Sequence, residues 1–420
     1  MTETEFALQV KNAGGTLYIV GGWVRDRLMG KAPHDKDYVV VGLSKKCFEE
    51  HFPEAKLIGN AFPVFLVKID GISCEVAFAR KERKTGTGYT GFEIAADAGI
   101  TIEEDLYRRD TTVNSVAMEV LTGDIIDLYG GRRDIEQKIM RPVSEHFSED
   151  PVRALRVARQ AAQLGFKVSR ELIEAMRECV QELKEEPTER IIGELKKVLL
   201  SDRPSVFFQV LNRAGLLEPI FPEVYALIGK TQPVDFHPEG DAYNHTMLVI
   251  DRVAQATDNE VAVFAALVHD IGKGATPREM LPHHYNHEAR GLEVLNGWNK
   301  RAKFPNQWMR AGALVIEEHM RAPLIKKPGK ITALLLHLHK MASYLPPEDF
   351  CHIIEADHGH LPVYLARYDE LLKVLLSIDG TMAPEGVKGK ALGDWLTSQR
   401  VMACTGWLKD WNSYDKFAII

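Results

Sequence analysis

The sequence predicts an α+β protein in which a small mixed α/β domain precedes all-α segments. Strand-like runs at 17–20, 39–41 and 64–78 lie in the first fifth of the chain. The clearest helix signals, a start near residue 148 and an apolar helix at 261–268, lie further on. A chain of 420 residues has room for about two to four domains. We expect an α/β head, a helical neck and body, an all-α domain and a helical tail: 1–142, 143–230, 231–380 and 381–420.

Composition excludes several classes of protein. The five cysteines lie far apart without a C-x-x-C pair, so neither a zinc ribbon nor a disulfide framework is indicated. The polar, acidic start is unlike a signal peptide, and no apolar run approaches the ~18 residues of a membrane span. We therefore expect a cytoplasmic protein with no membrane partner. A net charge of −7 argues against a surface coated in basic residues, although a localised basic groove is compatible with it.

The strongest functional signal is a glycine pair followed by two aspartates. The strand at 17–20 ends in Gly21 and Gly22, and the amides of a short helix there, with Arg25, could hold a phosphate group. Asp35 and Asp37 stand one residue apart where a strand begins, so we expect both carboxylates on one face. Such convergence costs free energy unless cations are present. A phosphate cradle beside two carboxylates is the layout of magnesium-dependent phosphoryl transfer.

A hairpin follows this motif. Asp70-Gly71 between two β-rich runs is a strong signal for a two-residue turn. In the second run Glu75 points away from the apolar face, where it is either a third catalytic carboxylate or a plain solvent-facing side chain. The glycine-dense stretch 83–92 predicts a mobile loop, and Thr101 to Glu104 predicts a capping box at the start of a helix.

A second helix start is expected at Ser148, as N-cap of a helix with Pro151 near its beginning. Asp150 and Arg153 would then share one helix face, either as an ordinary surface ion pair or as a pair that imitates a complementary base. The carboxylate can accept from an exocyclic amine and the guanidinium can donate to a ring nitrogen. Cytosine and adenine offer this order of groups, whereas guanine and uracil offer the reverse and would leave buried polar groups unpaired.

Several motifs occur in sequence over about residues 15–225, and together they resemble the class II tRNA nucleotidyltransferase family, the CCA-adding enzymes. That family shares its DNA polymerase beta-like head domain with bacterial poly(A) polymerases. One departure, Thr111 where the family usually has Phe or Leu, affects packing rather than chemistry. The motifs are Gly21-Gly22-x-Val24-Arg25-Asp26, Asp35-x-Asp37, Arg108-Arg109-Asp110-x-x-x-Asn114, Asp127-x-x-x-Gly131 with Asp134-Ile135 and Arg141, Glu149-Asp150-Pro151-x-Arg153, and Arg190-x-x-x-Glu194-x-x-Lys197.

The resemblance implies template-independent addition of the 3′-terminal CCA of tRNA from CTP and ATP, with release of pyrophosphate. Asp35 and Asp37, with Glu75 as the third candidate, would bind two Mg²⁺ ions between the triphosphate and the RNA 3′-hydroxyl. The Asp150–Arg153 pair matches how the family selects CTP and ATP. The other implied nucleotide-binding residues are Gly21, Gly22, Arg25 and Arg109 at the triphosphate, Asp110 and Asn114 near the ribose, and Arg156 and Arg159 nearby.

The second half of the chain contains a set of metal-ligand residues. The apolar helix at 261–268 ends in His269-Asp270 and then glycines, with His245 before it and Asp357 after it. Imidazole with carboxylate suits Mn, Ni, Co or Fe better than Ca. The ordered set resembles the HD phosphohydrolase superfamily.

Further histidines near this set could hold a second metal. His287 and His319 are the candidates, and His283 and His284 compete with them. A C-terminal HD domain fused to a nucleotidyltransferase resembles the gammaproteobacterial type of CCA-adding enzyme. This implies 2′,3′-cyclic phosphodiesterase, 2′-nucleotidase and phosphatase activity with a transition metal such as Ni²⁺, Mn²⁺ or Co²⁺.

Three rival functions remain open on sequence alone. A poly(A) polymerase shares the head motifs but is expected to lack an HD domain and to carry a basic tail. A specialist that adds only CC or only A differs little in sequence. An HD nucleotide hydrolase whose head merely binds RNA would not need Asp35 and Asp37. Oligomeric state is open between monomer and homodimer.

Overall fold

The computed structural model describes residues 1–33, 35–58, 63–84, 92–95, 98–235 and 238–414. The chain forms two compact units, Met1–Leu195 with Val206–Ile220, and Lys196–Ser205 with Phe221–Ile420. The predicted fold class is confirmed, because the strands fall in the first unit and the second is helical. The finer division into four segments stays a prediction.

The first unit contains a mixed sheet. Within the described residues seven strands form it in the order β3-β4-β5-β2-β1-β8-β9. β2 and β5 run parallel, and the other neighbouring pairs in the sheet run antiparallel. The strands of this unit are β1 (Thr16–Val20), β2 (Asp37–Val41), β3 (Lys56–Ile58), β4 (Val64–Ile69), β5 (Ile72–Phe78), β6 (Lys81–Lys84), β7 (Phe92–Ala95), β8 (Ala117–Glu119), β9 (Ile125–Ile126), β10 (Ile139–Met140) and β11 (Lys167–Val168).

Helices follow the strands along the chain. Those that begin before residue 221 are α1 (Glu3–Asn12), α2 (Gly22–Leu28), α3 (Lys45–His51), α4 (Ile102–Tyr107), α5 (Gly131–Gln137), α6 (Val152–Leu164), α7 (Arg170–Glu178), α8 (Val180–Lys184), α9 (Thr188–Leu199), α10 (Ser205–Ala214) and α11 (Leu217–Ile220). Those that follow are α12 (Pro222–Tyr225), α13 (Ala242–Ala256), α14 (Glu260–Val268), α15 (His287–Ala302), α16 (Asn306–Glu318), α17 (Pro328–Met341), α18 (Pro347–His358), α19 (Val363–Ala366), α20 (Tyr368–Leu376) and α21 (Lys390–Tyr414).

The two faces of the sheet bury different cores. One face packs an aromatic cluster that includes Phe6 of α1 and Phe48 of α3. The other face packs Val39 of β2 against Ile102 and Leu106 of α4. Because side chains alternate along a strand, Asp37 points to the same face as Val39. The start of β2 thus directs its carboxylate toward the side of the sheet that α4 covers.

Local sequence signals in the first unit are largely confirmed. Asp70 and Gly71 have φ of 50° and 81°, as the turn of the β4–β5 hairpin requires. Thr101 and Glu104 form the predicted capping box at the start of α4. The predicted loop 83–92 is wrong at its ends, because Arg83 and Lys84 pair with β7 in a two-stranded ladder; residues 85–91 lie outside the described residues.

Two expectations about element starts are wrong. Ser148 does not cap a helix: a 3-10 turn occupies Glu145–Glu149, and α6 begins only at Val152. Asp150 therefore precedes the helix, with an extended backbone at φ −107° and ψ 104°. Asp35 likewise precedes β2, so that only Asp37 has its orientation fixed by the strand.

The second unit is built around α14. Every residue from Val261 to Val268 is buried, and Phe264 stacks on Trp308 of α16 with ring centroids 4.5 Å apart. The C-terminal helix α21 packs on α17 and α20, with Trp395 and Trp407 partly buried. No helix in the described part of the chain is long and apolar enough to cross a membrane.

Candidate active sites

Three carboxylates come together at the start of β2. Asp37 lies directly opposite Glu75 in the parallel β2–β5 pair, so both side chains point to the same face. Desolvation raises the pKa of Asp37, and the charges of Glu75 and Asp35 raise it further, whereas nearby arginines lower it. The three carboxylates are thus close enough to repel one another. This all-oxygen donor set fits Mg²⁺.

A cavity of about 540 Å³ adjoins these carboxylates and includes Asp37 in its wall. Eight arginines and three aspartates line it, so positive groups outnumber negative ones in the wall and suit a triphosphate, although carboxylates behind the wall such as Asp105 and Glu194 balance part of this charge. All ten residues predicted to bind the nucleotide are in the wall: Gly21, Gly22, Arg25, Arg109, Asp110, Asn114, Asp150, Arg153, Arg156 and Arg159. Five other residues of the wall were not predicted to bind it, although Arg108 and Arg190 belong to the quoted motifs: Arg80, Arg108, Gln160, Gln163 and Arg190.

The glycine turn and a buried aspartate position the arginines of this cavity. Gly21 has φ of +71°, and a Cβ there would lie 3.3 Å from Nη1 of Arg109, so the glycine lets the guanidinium approach the backbone. The fully buried Asp105 accepts hydrogen bonds from Arg108 at 2.7 Å and from Arg109 at 2.9 Å. Both arginines are therefore fixed by one carboxylate.

A buried hydrogen-bond network joins the turn to helix α6. Arg25 donates to Oδ1 of Asn114 at 2.7 Å, and Nδ2 of Asn114 donates to Oε1 of Gln160 at 2.8 Å. Nε2 of Gln160 donates to Oδ2 of Asp110 at 3.2 Å. Burial would raise the pKa of Asp110, but Arg156, Arg153 and its hydrogen bonds lower it to about 2. Asp110 thus stays ionised inside the cavity.

The pair expected to select the base is arranged differently from the expectation. Asp150 and Arg153 line the same cavity, but they do not share a helix face, because Asp150 precedes α6. Oδ1 of Asp150 accepts from the amide of Val152 at 3.2 Å and lies 3.5 Å from Nη2 of Arg190. Arg153 donates to the carbonyl of His146 at 2.7 Å. The Asp150 carboxylate is thus positioned by the amide of Val152 and by Arg190, which adds Arg190 to the residues around the expected base-selecting pair.

In the second unit the predicted metal ligands form two adjoining groups. His245, His269 and Asp357 offer ligand atoms within 4.8 Å of one another, and Asp270, His287 and His319 do the same. Oδ2 of Asp270 lies 3.2 Å from Nε2 of His269, and Oδ1 lies 3.3 Å from Nε2 of His287. Asp270 thus stands between the two groups. We call the six residues the HD cluster.

The four imidazoles of the HD cluster are oriented in the same way. Nδ1 of His269 lies 2.7 Å from the carbonyl of Ala266, and Nδ1 of His287 lies 2.9 Å from that of His284. Nδ1 of His319 faces the carbonyls of the preceding turn, and Nδ1 of His245 faces a carboxylate of Glu239. Protons on Nδ1 leave each Nε2 as an electron-pair donor that faces the cluster, which is the tautomer metal ligation requires.

The carboxylates of the HD cluster also fit a metal site. Both oxygens of Asp270 and Oδ2 of Asp357 are buried without a hydrogen bond of regular geometry. Burial would raise the pKa of Asp270, but the charge of Lys273 and the histidines hold it well below its usual range. A cation would satisfy such buried, ionised oxygens, and Nζ of Lys273 already lies 2.6 Å from Oδ2 of Asp270. His284 is excluded from the cluster, since its ring contacts Thr276 and the backbone of Thr231.

A glycine brings the HD cluster together. A Cβ at Gly272 would lie 2.0 Å from the carbonyl oxygen of His287 and 2.4 Å from the amide nitrogen of Gly291. The 3-10 turn Ile271–Ala275 therefore packs backbone to backbone against α15. This contact places Asp270 beside His287, which explains the glycine two residues after the aspartate.

Comparisons with known proteins agree with this arrangement. Residues 17–141 match the poly A polymerase head domain, residues 165–227 match the probable RNA and SrmB-binding site of polymerase A, and residues 242–380 match the HD domain. The chain is 42% identical to a multifunctional CCA protein of Stenotrophomonas maltophilia, over 92% of this chain and 98% of that protein. It is 37% identical to one of Acinetobacter baylyi, over 92% of this chain and 96% of that one.

Solved structures give the same fold. The CCA-adding enzyme of Bacillus stearothermophilus in complex with CTP matches with a TM-score of 0.66 at 21% identity, over 99% of this chain and 98% of that one. The Thermotoga maritima CCA-adding enzyme in complex with tRNA matches with a TM-score of 0.60 at 18% identity, over 96% and 91%.

Fold and sites together define a nucleotidyltransferase head followed by an HD domain. The sequence identity of 42% and 37% over nearly the whole length of these two relatives then shows the family. The chain belongs to the multifunctional CCA proteins, and it is therefore an enzyme of the CCA-adding nucleotidyltransferase class that carries an HD domain.

Proposed function

We propose that the first unit adds the 3′-terminal CCA of tRNA, using CTP and ATP without a nucleic-acid template and releasing pyrophosphate. The observation that carries this proposal is the cavity in which Asp37, opposite Glu75, meets an excess of positive charge. Mg²⁺ bound by Asp35, Asp37 and Glu75 would activate the RNA 3′-hydroxyl and stabilise the leaving pyrophosphate.

The residues that line the cavity would bind different parts of the nucleotide. Arg25 and Arg109, fixed by Asn114 and Asp105, bind the triphosphate beside the glycine turn. Asp110 is ionised and buried, and with Asn114 it binds the ribose. Arg156 and Arg159 add positive charge to the wall of α6. Orientation by buried partners keeps the nucleotide in line with the carboxylates.

Selection of C and A is assigned to Asp150 and Arg153, with Arg190 holding the carboxylate of Asp150. An amine next to a ring acceptor satisfies the pair, whereas guanine and uracil would leave both groups unpaired. Asp150→Ala should therefore raise misincorporation of UMP and GMP more than it weakens triphosphate binding. Unchanged discrimination in that variant, with Asp124→Ala as the exposed control, would contradict the assignment.

The decisive experiment offers tRNA lacking its 3′ end to the purified protein with Mg²⁺, giving each labelled nucleotide singly and in combination. Two C followed by one A and then a stop is the expected product. Two C alone would make the protein a CC-adding enzyme, one A on a CC end an A-adding enzyme, and long A tails a poly(A) polymerase. No addition with any nucleotide would contradict the proposal.

We further propose that the HD cluster hydrolyses phosphoesters, as a 2′,3′-cyclic phosphodiesterase, 2′-nucleotidase and phosphatase. The buried set of four Nε2 atoms and two carboxylates, arranged in two adjoining groups, supports this function. These residues would hold a transition metal such as Ni²⁺, Mn²⁺ or Co²⁺, which would supply Lewis-acid chemistry for phosphoester hydrolysis. His287 and His319 would complete a second metal position through Asp270.

A further inference from the structure

Two basic side chains contact one buried threonine near the HD cluster, and a third basic side chain lies close enough to act on one of them through its charge. Nζ of Lys230 donates to the carbonyl oxygen of Thr276 at 2.6 Å, and Nη2 of Arg290 donates to its Oγ1 at 3.2 Å. Burial lowers the pKa of the Lys230 amine, and the charges of Arg278 and Arg290 lower it further. Lys230 and Arg290 thus converge on Thr276, and Arg278 is near enough for its charge to act on Lys230. We call Lys230, Arg278 and Arg290 the Thr276 basic site.

These three positive charges have no carboxylate ion-pair partner among the residues that the structure describes. By contrast, Arg301 and Arg321 of the same unit each pair with a glutamate. Nε of Arg290 is buried and has no hydrogen-bond acceptor. Like charges without a counter-ion cost free energy, and so does a buried donor without an acceptor. One anion would relieve both costs.

The Thr276 basic site is connected to the HD cluster through two short stretches of chain. The 3-10 turn Ile271–Ala275 runs directly from Asp270 to Thr276. Arg290 lies three residues after His287 on α15, about 4.5 Å further along the helix axis. An anion at the basic site would therefore be close to a phosphoester bound at the cluster.

We propose that the Thr276 basic site binds a second phosphate group of the substrate hydrolysed at the HD cluster. The proposal rests on the hydrolytic function proposed above. In an RNA end this second phosphate is the one on the 5′ side of the terminal nucleoside, and in a free nucleotide it is a 5′-phosphate. The site would thus favour nucleotides and RNA ends over phosphate monoesters that have no second phosphate.

A binding measurement tests the site without catalysis. Titrating the full-length protein with inorganic phosphate by calorimetry should show a binding event that Arg290→Gln weakens by about tenfold, the effect of one charge-assisted hydrogen bond. Arg310→Gln is the matched control, because Arg310 is exposed and lies nine residues before His319 on α16. The nucleotidyltransferase cavity is common to all three proteins, so it cancels in the comparison. Equal phosphate binding by all three would overturn the proposal.

A kinetic measurement tests the link to hydrolysis. Cytidine 2′,3′-cyclic phosphate is compared with the same compound carrying a 5′-phosphate, as the ratio of their kcat/KM values. We expect Arg278→Gln and Arg290→Gln to lower the preference for the 5′-phosphorylated compound about tenfold. An unchanged ratio in both variants would overturn the proposal. A wild-type protein that hydrolyses neither compound would instead contradict the hydrolytic function, while the phosphate titration would still decide the basic site.

Discussion

Asp105 is completely buried, yet its charge fixes two arginines that line the cavity of the first unit. Burial would raise its pKa, but Arg108 and Arg109 lower it to about 2, below the ~3.9 of an unfolded chain. A carboxylate whose pKa is depressed by folding stabilises the folded state above its unfolded pKa. That stabilisation is lost as the pH falls through the folded value.

Replacing this carboxylate should therefore have a pH-dependent cost. Asp105→Asn should lower the free energy of unfolding at pH 7 by about 2 kcal/mol, and the difference from wild type should shrink between about pH 4 and pH 2. Urea denaturation at pH 7, 4 and 2.5 measures it. Asp124→Asn, at an exposed aspartate of the same unit, is the control. A deficit that stays constant over this range would contradict the ion-pair explanation.

Gln160 is the second residue whose role depends on its partners. It is only 3% exposed and bonds both Asn114 and Asp110, the two residues assigned to the ribose. Gln160→Met keeps the volume but removes both hydrogen bonds, so we expect KM for CTP and ATP to rise about tenfold with a smaller change in kcat. Steady-state kinetics measure this. Gln181→Met, at an exposed glutamine of α8, should change neither constant; similar effects of both variants would refute the assignment.

The sequence identifies candidate metal ligands and charged site residues better than it identifies the residues that position them through hydrogen bonds. Asp37 and the HD pair sit in recognisable local patterns and lie where expected. Gln160 sits in a helix of ordinary composition, and its partner Asn114 is 46 residues away in the chain. The role proposed for Gln160 depends on contacts with residues distant in the chain, so it could not be predicted from the neighbouring sequence.

Turn and cap signals predict elements well when a single local interaction decides them. The β4–β5 hairpin follows from Asp70-Gly71, and the start of α4 follows from its capping box. The start of α6 was mispredicted because Ser148 looks like an N-cap. A residue before proline avoids the helical region, however, so Asp150 is extended and α6 can begin no earlier than Pro151. The restriction before Pro151 could be predicted from the sequence, and it overrides the N-cap signal of Ser148.

The packing of the 3-10 turn on α15 gives a prediction for a whole element. Gly272→Ala places a methyl group against backbone atoms that cannot yield, so we expect a loss of about 2–3 kcal/mol in stability and loss of bound transition metal. Thermal unfolding and elemental analysis of the purified protein measure the two effects. Gly297→Ala on the same helix meets no atom within 4 Å and should be neutral or slightly stabilising. A stable, metal-bearing Gly272→Ala variant would contradict the role of this contact.

At the scale of the whole molecule, each predicted site is complete within one compact unit. We therefore expect the two activities to be separable. His269→Asn should reduce phosphoester hydrolysis by roughly a hundredfold or more, since it removes a metal ligand, and should leave CCA addition within about twofold of wild type. Asp37→Asn should give the opposite pattern. Assays of both activities on both variants, with folding checked by circular dichroism, measure this. Loss of both activities in either variant would show that the sites are coupled.

The parallel pairing of β2 with β5 makes the site depend on correct strand alignment during folding. Asp37 and Glu75 belong to strands with β3 and β4 between them in the chain, and they meet only in one alignment of the two strands. A slip of one residue would turn Glu75 to the opposite face of the sheet. The two carboxylates proposed to bind Mg²⁺ are thus brought together only in a correctly aligned sheet. A molecule with misaligned strands would lack this proposed metal site.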